Sequence, residues 1–417
     1  MKTESPTAAD GDTRQYPYWR RNLQALPPAN FLGSLSFSLA WPFLPLMLRS
    51  LGVRENLETW SGHMMLVFYA MGVICAPLWG GIADHYGRKI MVLRAMLGMG
   101  FFMSLVPFAP SPLWFAFAIA LVGLFNGFMP AGMALIVANT PPGHIGRALS
   151  LAQTGSMVGQ TMGPVVATVI GALVDRPHWI FWISGGVMLI AGSLVLAYVH
   201  EIKQLAPGRW RPQWVGSLRE LLAVPRIGML FLQYLVFSVL WGGNITVVTI
   251  FVLQMLEAQP ATAGSEVFWV GAAAMGLSLS GLAALPLWGR VMDRWGAERV
   301  LVIATVASIV THLPLLISQT PLQVVLSRVA FGLSACVVIP AIVRLLKNYA
   351  PAGMDARAIG YGSSCNYIGS GLGPFVAGLL GPLVGLRAYF AVTIVVTAVA
   401  LWLWMRSIKK AQAKGQA

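Results

Sequence analysis

Stretches of about twenty apolar residues recur along the whole chain, and this pattern restricts the possible fold more than any other feature. At a rise of about 1.5 Å per residue, a helix of that length crosses a hydrocarbon core about 30 Å thick. Lipid offers no hydrogen bonds, so a membrane-spanning segment must be a helix or part of a closed barrel. The stretches lack the alternation of apolar and polar residues that barrel strands show, so we predict helices.

Composition agrees with a membrane protein. The 417 residues are 57% hydrophobic and only 10% charged, and the mean hydropathy is +0.71. Soluble domains carry about 25% charged residues because water must wet their surface. Most of the surface of this protein must therefore face lipid.

The pattern predicts an all-α membrane protein with twelve spans in two six-helix halves. Within the chain we expect an N-terminal arm at 1–26, one half at 27–200, a central loop at 201–225, the other half at 226–406 and a tail at 407–417. The predicted spans are 27–49, 60–83, 90–109, 112–139, 147–174, 178–200, 226–256, 266–289, 298–318, 321–349, 357–385 and 387–406.

The net charge of +14 follows the predicted topology. With the N-terminus in the cytoplasm, 22 of the 28 Lys and Arg residues lie on the cytoplasmic side. Only Arg49, Arg54, Arg176 and Arg387 lie outside, and Arg328 and Arg344 lie within a span. This positive-inside bias predicts both termini in the cytoplasm. We expect the chain to lie in the inner membrane of a bacterial cell. The bias explains the basic charge without nucleic acid.

The chain also repeats itself. PLWGGIADHYG at 77–87 returns as PLWGRVMDRWG at 286–296, an offset of 209 residues. Similar offsets relate Pro112 to Pro321 and Gly163-Pro164 to Gly373-Pro374. Such an ordered set predicts two parallel six-helix halves with a substrate site near the membrane midplane.

Two motifs resemble a known family. GGIADHYGRK at 80–89 resembles the cytoplasmic signature loop of the major facilitator superfamily, with His85 where that family usually has Arg. GSMVGQTMGPVVAT at 155–168 is similar to the antiporter signature of its drug-exporting branch, although it ends in Ala167-Thr168 rather than Gly-Gly. The resemblance implies a twelve-helix drug:proton antiporter with a small-molecule substrate and protons as the coupling ion.

The signature loop and its repeat predict a gate. Asp84 and Asp293 are expected to accept bonds from the first N–H groups of the next helix and from a nearby cation such as Arg88 or Arg294. Simple helix capping would use the same contacts. The predicted gating residues are Gly80, Asp84, Gly87, Arg88, Lys89, Asp293 and Arg294.

Small residues on spans 5 and 11 predict a hinge or seal. Gly155, Gly159 and Gly163 are spaced by four, which gives a smooth face on which a helix of the other half can pack. Pro164 should bend the helix, and Gly373-Pro374 should repeat the bend in the second half. Packing alone is the alternative explanation for these residues.

The spans contain no carboxylate near their middle, but span 10 carries Arg328 where its repeat has Ile119. A charge at that depth costs at least about 3 kcal/mol, so a partner or a polar cavity is expected. We expect Arg328 either to face the central cavity and attract negative charge or to bond the backbone carbonyls of span 11. Further pathway candidates, each equally explained by interhelical bonding, are Asn126, Gln153, Gln160, Gln233, Trp241, Asn244, Asn366 and Tyr367. His63 could carry the proton, although a lone His in a membrane is more often a structural hydrogen-bond donor.

These observations favour a monomeric, proton-coupled exporter of drug-like compounds or of an anionic metabolite such as a siderophore. An importer or symporter of organic anions has the same fold and is the alternative. Neither the six His nor the three Cys show metal-type spacing, and no nucleophile–base pair or phosphate loop occurs. We therefore expect no enzyme activity, no metal and no cofactor.

Overall fold

The computed structural model describes residues 16–173, 176–201, 214–258, 265–351 and 354–413. Within these ranges the regular structure is helical, which confirms the predicted fold class. Nine helical segments of the described ranges are long and apolar enough to cross a membrane. The predicted spans 60–83, 147–174 and 357–385 fall outside these nine but coincide with further long helices, so the total of twelve spans stays a prediction.

The described residues of the N-terminal half form eight helices. Short 3-10 turns at Trp41–Phe43, Val106–Phe108 and Pro142–His144 lie between some of them. The helices are α1 (Trp19–Ala40), α2 (Leu44–Ser50), α3 (Leu57–Tyr86), α4 (Arg88–Leu105), α5 (Pro112–Phe125), α6 (Phe128–Ala138), α7 (Ile145–Leu173) and α8 (Pro177–Tyr198).

The rest of the described chain contains nine more helices. They are α9 (Trp214–Leu222), α10 (Pro225–Glu257), α11 (Glu266–Trp295), α12 (Ala297–His312), α13 (Pro314–Ile317), α14 (Pro321–Ala335), α15 (Val338–Tyr349), α16 (Asp355–Val384) and α17 (Leu386–Ala413).

Helix boundaries differ from the predicted ones at both ends of the chain and in the central loop. Helix α1 begins at Trp19 inside the predicted arm 1–26, because Trp19 stacks on His144 and Asn22 bonds the backbone of His200 at 2.7 and 2.9 Å. Helix α9 lies within the predicted loop 201–225, where Leu221 is buried in the core of the later helices. Helix α17 continues to Ala413, beyond the predicted end at 406.

The internal repeat is visible in how equivalent helices begin. Ser111 caps α5 by accepting from Trp114 N, and Thr320 and Gln323 form a capping box at the start of α14. The break before α4 is at Gly87 (φ 100°), and the break before α12 is at Gly296 (φ 81°). Glycine adopts this left-handed backbone at little cost, so the same residue interrupts both halves at the same place.

The chain divides into two compact units that do not follow the predicted halves 27–200 and 226–406. One unit comprises Met1–Trp41, Ile74–Gly163 and His178–Trp210. The other comprises Pro42–Val73, Pro164–Pro177 and Arg211–Ala417, around a core that includes the fully buried Leu301, Ile342 and Trp404. Segments 42–73 and 164–177 therefore pack with the later helices rather than with the rest of the N-terminal half.

Candidate functional site

At the start of α4, a carboxylate from the first residue of the predicted central loop accepts hydrogen bonds from the first N–H groups. Glu201 accepts bonds from Arg88 N at 2.7 Å and Lys89 N at 2.9 Å. The Arg88 side chain donates to the Ala134 carbonyl at 2.8 Å, and Lys89 Nζ donates to the Leu196 carbonyl at 3.0 Å. We predicted Asp84 as this acceptor and missed Glu201, which is 113 residues from Arg88. The surroundings of Gly80 and Asp84 lie outside the described residues.

Two features explain why residue 87 is a glycine, namely the nearby Glu201 carboxylate and the positive φ of the backbone. A Cβ at position 87 would come within 2.7 Å of a Glu201 carboxylate oxygen, and the positive φ would strain it further. Its repeat partner Gly296 has the same backbone but open space around it. The tight packing at the first loop is therefore specific to the N-terminal half.

Asp293, the repeat partner of Asp84, makes an ion pair that we did not predict. It pairs with Arg344 of α15 at 2.6 Å, whereas we expected a cation such as Arg294. Arg294 occupies the last turn of its own helix α11. Both paired side chains are largely exposed, at 71% for Asp293 and 44% for Arg344, so the pair is easily broken and remade.

The glycines of α7 lie against α1 of the same half, which corrects the expectation that they face the other half. A Cβ on Gly155 would meet the Pro27 carbonyl at 2.8 Å, and one on Gly159 would collide with the Phe31 carbonyl. Gly163 is equally close to the backbone of Leu39. The reason is that these small residues share one helix face, and α1 lies along that face.

The second half repeats this packing. Gly369 and Gly373 of α16 approach the backbone of α10 at Leu235, Val239 and Gly243.

Beyond their Gly-Pro pairs, α7 and α16 both contact different helices. A Cβ on Gly62 of α3 would collide with the Pro374 carbonyl, and one on Gly271 of α11 would collide with Thr168, which follows Pro164. The later parts of α7 and α16 thus contact helices of the opposite predicted half.

Spans 4 and 10 are each interrupted in the middle. Asn126 ends α5, and Gly127 (φ 121°) separates it from α6. The freed carbonyls of Leu124 and Asn126 accept from Arg94 at 3.5 and 3.4 Å, and its guanidinium lies 3.8 Å from the Trp79 ring centroid. Discontinuous helices often form the substrate site of transporters. Asn126 therefore lies at a helix break, and its role as a pathway residue stays a prediction. Arg94 is a partner that we missed.

Arg328 is enclosed, so in this structure it has neither an open face nor, at two of its nitrogens, the backbone bonds that were the two expected arrangements. The residue is 2% exposed, and its guanidinium lies 5.7 Å from the ring centroid of Phe331 on the same helix, α14. Its Nε and Nη1 find no hydrogen-bond acceptor among the described residues, so these atoms do not make the alternative bonds to span 11. The ring of Trp241 also lies near Phe331, at a centroid distance of 6.0 Å.

The remaining pathway candidates are scattered among several environments. Asn244 bonds His312 at 2.8 Å, Asn366 donates to the Tyr234 hydroxyl at 3.2 Å, and Tyr367 lies 6.3 Å from the ring of Tyr69. Gln233 is buried, whereas Gln153 and Gln160 are exposed. His63 is exposed too and bonds the Thr59 carbonyl at 2.7 Å.

A set of separate charged and polar contacts, here called the Arg49 network, joins segment 42–73 to the later helices. Arg49 pairs with Glu257 at 2.8 Å and with Glu266 at 3.1 Å. Gln254 Nε2 donates to Glu58 at 3.4 Å. The Thr59 hydroxyl donates to the Gly378 carbonyl at 2.8 Å, and the Thr249 hydroxyl donates to the Pro42 carbonyl at 3.0 Å. We predicted none of these residues, although Arg49 stood out as one of four outer cations.

A family model and similar proteins both relate this chain to one family of transport proteins. The model of the Major Facilitator Superfamily matches residues 28–279 and again 230–417. The chain is 33% identical over 397 residues to multidrug resistance protein MdtG of Salmonella dublin, covering 93% of this chain and 95% of that protein. It is also 33% identical over 387 residues to MdtG of Enterobacter lignolyticus, covering 91% and 90% of the two chains.

Solved structures share the fold at lower identity. The nucleoside transporter NupG superposes with a TM-score of 0.73 at 16% identity, covering 93% of this chain and 99% of NupG. The human organic anion transporter MFSD10 superposes with a TM-score of 0.64 at 18% identity, covering 93% and 99%.

Proposed function

We propose that this chain, which belongs to the major facilitator superfamily, exports small molecules across the bacterial inner membrane in exchange for protons. Like its relatives in the superfamily, it is a membrane transport protein. It is not an enzyme. The observation that carries export is the 33% identity to multidrug resistance proteins over 93% of the chain. The import alternative draws only on neighbours such as NupG, which at 16% identity share the fold alone.

Alternating access requires contacts that close one side and release in the other state. The Arg49 network has the chemistry of such a closure, because ion pairs near water are individually weak and re-form readily. In the predicted orientation it lies at the outer ends of the helices. Asp84 and the Asp293–Arg344 pair would close the cytoplasmic side. Gly163-Pro164 and Gly373-Pro374 would form the hinges between the outer and the cytoplasmic contacts.

The polar residues that remain accessible are the best candidates for the route of the substrate. Gln153, Gln160 and His63 are exposed, and Asn126 lies at a helix break. Burial of Arg328 removes the main argument for an anionic cargo. We therefore favour drug-like compounds over a siderophore as substrates.

Inverted membrane vesicles test direction and coupling together. Vesicles that contain the protein and acidify their interior by respiration should accumulate a fluorescent drug, and an uncoupler should release it. Vesicles with Asp84→Asn protein, inserted at the same level, should accumulate less. Accumulation only in right-side-out vesicles would support the importer, and accumulation that persists with an uncoupler would refute proton coupling.

A panel of compounds in the same assay separates the cargo classes. Cationic and neutral drugs should compete with the fluorescent compound, whereas carboxylate siderophores should not. Competition by the siderophores alone would reverse this assignment.

A further inference from the structure

Spans 4 and 10 are repeat partners, but their interruptions differ. Between α5 and α6, Asn126 has an extended ψ of 155° and Gly127 has a positive φ of 121°, so the helix is cut. Between α14 and α15, Cys336 (φ −59°, ψ −26°) and Val337 (φ −92°, ψ −12°) keep a right-handed backbone close to that of a helix. The interruption is therefore sharp in the N-terminal half and slight in the C-terminal half.

Features that the two spans share do not explain this difference. Pro130 and its repeat partner Pro340 both lack an N–H, so each leaves one carbonyl of the preceding turn without a helical donor. Trp79 and Trp288 each donate to a carbonyl ahead of the interruption, at 2.9 and 2.7 Å. Gly127 permits the left-handed backbone, but a glycine has no side chain with which to bond the freed carbonyls.

Arg94 of α4 distinguishes the first interruption from the second. Its Nη1 donates to the Leu124 carbonyl at 3.5 Å, and its Nη2 donates to the Asn126 carbonyl at 3.4 Å. The Asn126 carbonyl is the one that Pro130 leaves without a donor, because it lies four residues before the proline. At the repeat offset of 209, the residue opposite Arg94 is Ile303, whose side chain cannot donate a hydrogen bond.

The packing around Arg94 holds the guanidinium at this place. Its central carbon lies 3.8 Å from the ring centroid of Trp79 and 6.0 Å from that of Phe125. One turn further along α4, a Cβ on Gly98 would collide with the Phe125 ring, so glycine lets the end of α5 come this close. The ion pairs that the structure describes do not include Arg94. Among the described residues its charge faces an aromatic ring and the carbonyl end of a helix, which both attract a cation.

We propose that Arg94 is a positioning residue of transport. Its guanidinium clamps the two carbonyls and holds span 4 divided, and the divided backbone presents the half-buried Asn126 to the substrate. Without the guanidinium, the carbonyls of Leu124 and Asn126 would lose a donor that the helix itself cannot replace. The contact between Asn126 and the substrate rests on the proposed function, whereas the clamp does not.

Hydrogen exchange of the purified full-length protein tests the clamp. In the divided helix, the N–H of Asn126 donates to the Gly123 carbonyl at 3.1 Å, and the N–H of Gly127 donates to the Asn126 side chain at 2.7 Å. In Arg94→Ile, which copies Ile303, peptides that cover these amides should exchange several-fold faster, because the clamp no longer restrains the segment. Equal exchange in the wild type and in Arg94→Ile would overturn the proposal.

Two further variants control this measurement. Arg147→Ile makes the same substitution at an exposed position of α7 and should leave exchange at span 4 unchanged. Arg94→Lys keeps the charge, but an ammonium group lacks the planar fork that reaches two carbonyls together, so its exchange should lie between wild type and Arg94→Ile. If Arg94→Ile fails to fold, a wild-type exchange rate in Arg94→Lys overturns the clamp.

Binding of ethidium, an aromatic cation, to the protein in detergent tests the contact with the substrate. Arg94→Ile and Asn126→Ala should each raise the Kd several-fold. The double variant should bind no more weakly than the weaker single variant, because Arg94 acts through Asn126. Effects that multiply in the double variant would refute positioning through Asn126. A wild type that does not bind ethidium would contradict the proposed function, and the exchange rates would then decide the role of Arg94 by themselves.

Discussion

At the scale of single residues, the important partners come from distant parts of the chain. Glu201 holds the start of α4, Arg344 pairs with Asp293, and Arg49 pairs with Glu257 and Glu266. Each carboxylate or cation was visible in the sequence, but its partner was not. Charge-assisted bonds of this kind are strong where both groups are held in place and weak where both are exposed.

Glu201→Gln should lower the free energy of unfolding by about 1–2 kcal/mol, because it places an amide N–H₂ against a backbone donor that the carboxylate now accepts. The measurement is denaturant or thermal unfolding of the purified protein. Glu220→Gln changes an exposed carboxylate of α9 and should stay within about 0.5 kcal/mol of wild type. Equal effects of the two substitutions would contradict the capping role of Glu201.

Arg49→Gln should loosen the Arg49 network by removing the cation shared by two carboxylates. A single cysteine at Ser61, which is fully buried on α3, should then react faster with a membrane-impermeant maleimide added from outside. Arg54→Gln removes an exposed outer cation and should leave the labelling rate unchanged. If both variants label like the parent protein, the network does not hold this side closed.

At the scale of helices, close backbone approach decides which elements meet. Gly159 on α7 and Gly369 on α16 allow α1 and α10 to approach to backbone contact. The breaks at Asn126-Gly127 and between α14 and α15 interrupt equivalent spans. Equivalent indoles brace both breaks, since Trp79 bonds the Leu124 carbonyl at 2.9 Å and Trp288 bonds the Leu333 carbonyl at 2.7 Å.

Gly159→Ala should destabilise the protein by about 1–3 kcal/mol, because the added methyl group collides with the backbone carbonyl of Phe31 and must push α1 away. Gly146→Ala on the same helix meets open space and should change stability by less than about 1 kcal/mol. The unfolding midpoints of both variants, measured in the same detergent, provide the comparison. Similar midpoints would show that α1 can move away at no cost.

At the scale of the whole molecule, the sequence repeat and the family match agree. The family model matches two overlapping stretches, 28–279 and 230–417, which together include both predicted halves. The compact units cut across those halves, because 42–73 and 164–177 pack with the later helices. The end of span 1 and the start of span 2, which carry residues of the Arg49 network, thus belong structurally with the C-terminal half. The same holds for the part of span 5 that follows Pro164.

The Lys and Arg asymmetry predicts the orientation of the chain in the membrane. Reporter fusions at residues 110, 176 and 260 should be active outside the inner membrane, and fusions at 87, 210 and 295 should be active in the cytoplasm. As a control, the six fusion proteins must be expressed at equal levels. Cytoplasmic activity at 176 or 260 would exclude both the twelve-span topology and the outer position of the Arg49 network.

The sequence by itself determined the helical membrane fold, the two related halves and the superfamily. These properties depend on the local apolarity of about twenty residues at a time and on motifs that lie within one loop or helix. It also identified Arg328 as unusual, through the comparison with Ile119.

Only the tertiary structure decided what these residues contact. It buried Arg328 near Phe331, which His312 also contacts. It showed that Glu201 accepts hydrogen bonds from the first N–H groups of α4 and that the glycines of α7 pack against α1. The spacing of residues along a helix shows which of them share a face, but not which neighbour that face meets. That neighbour depends on how each helix is rotated and packed against segments a hundred or more residues away, which no local pattern encodes.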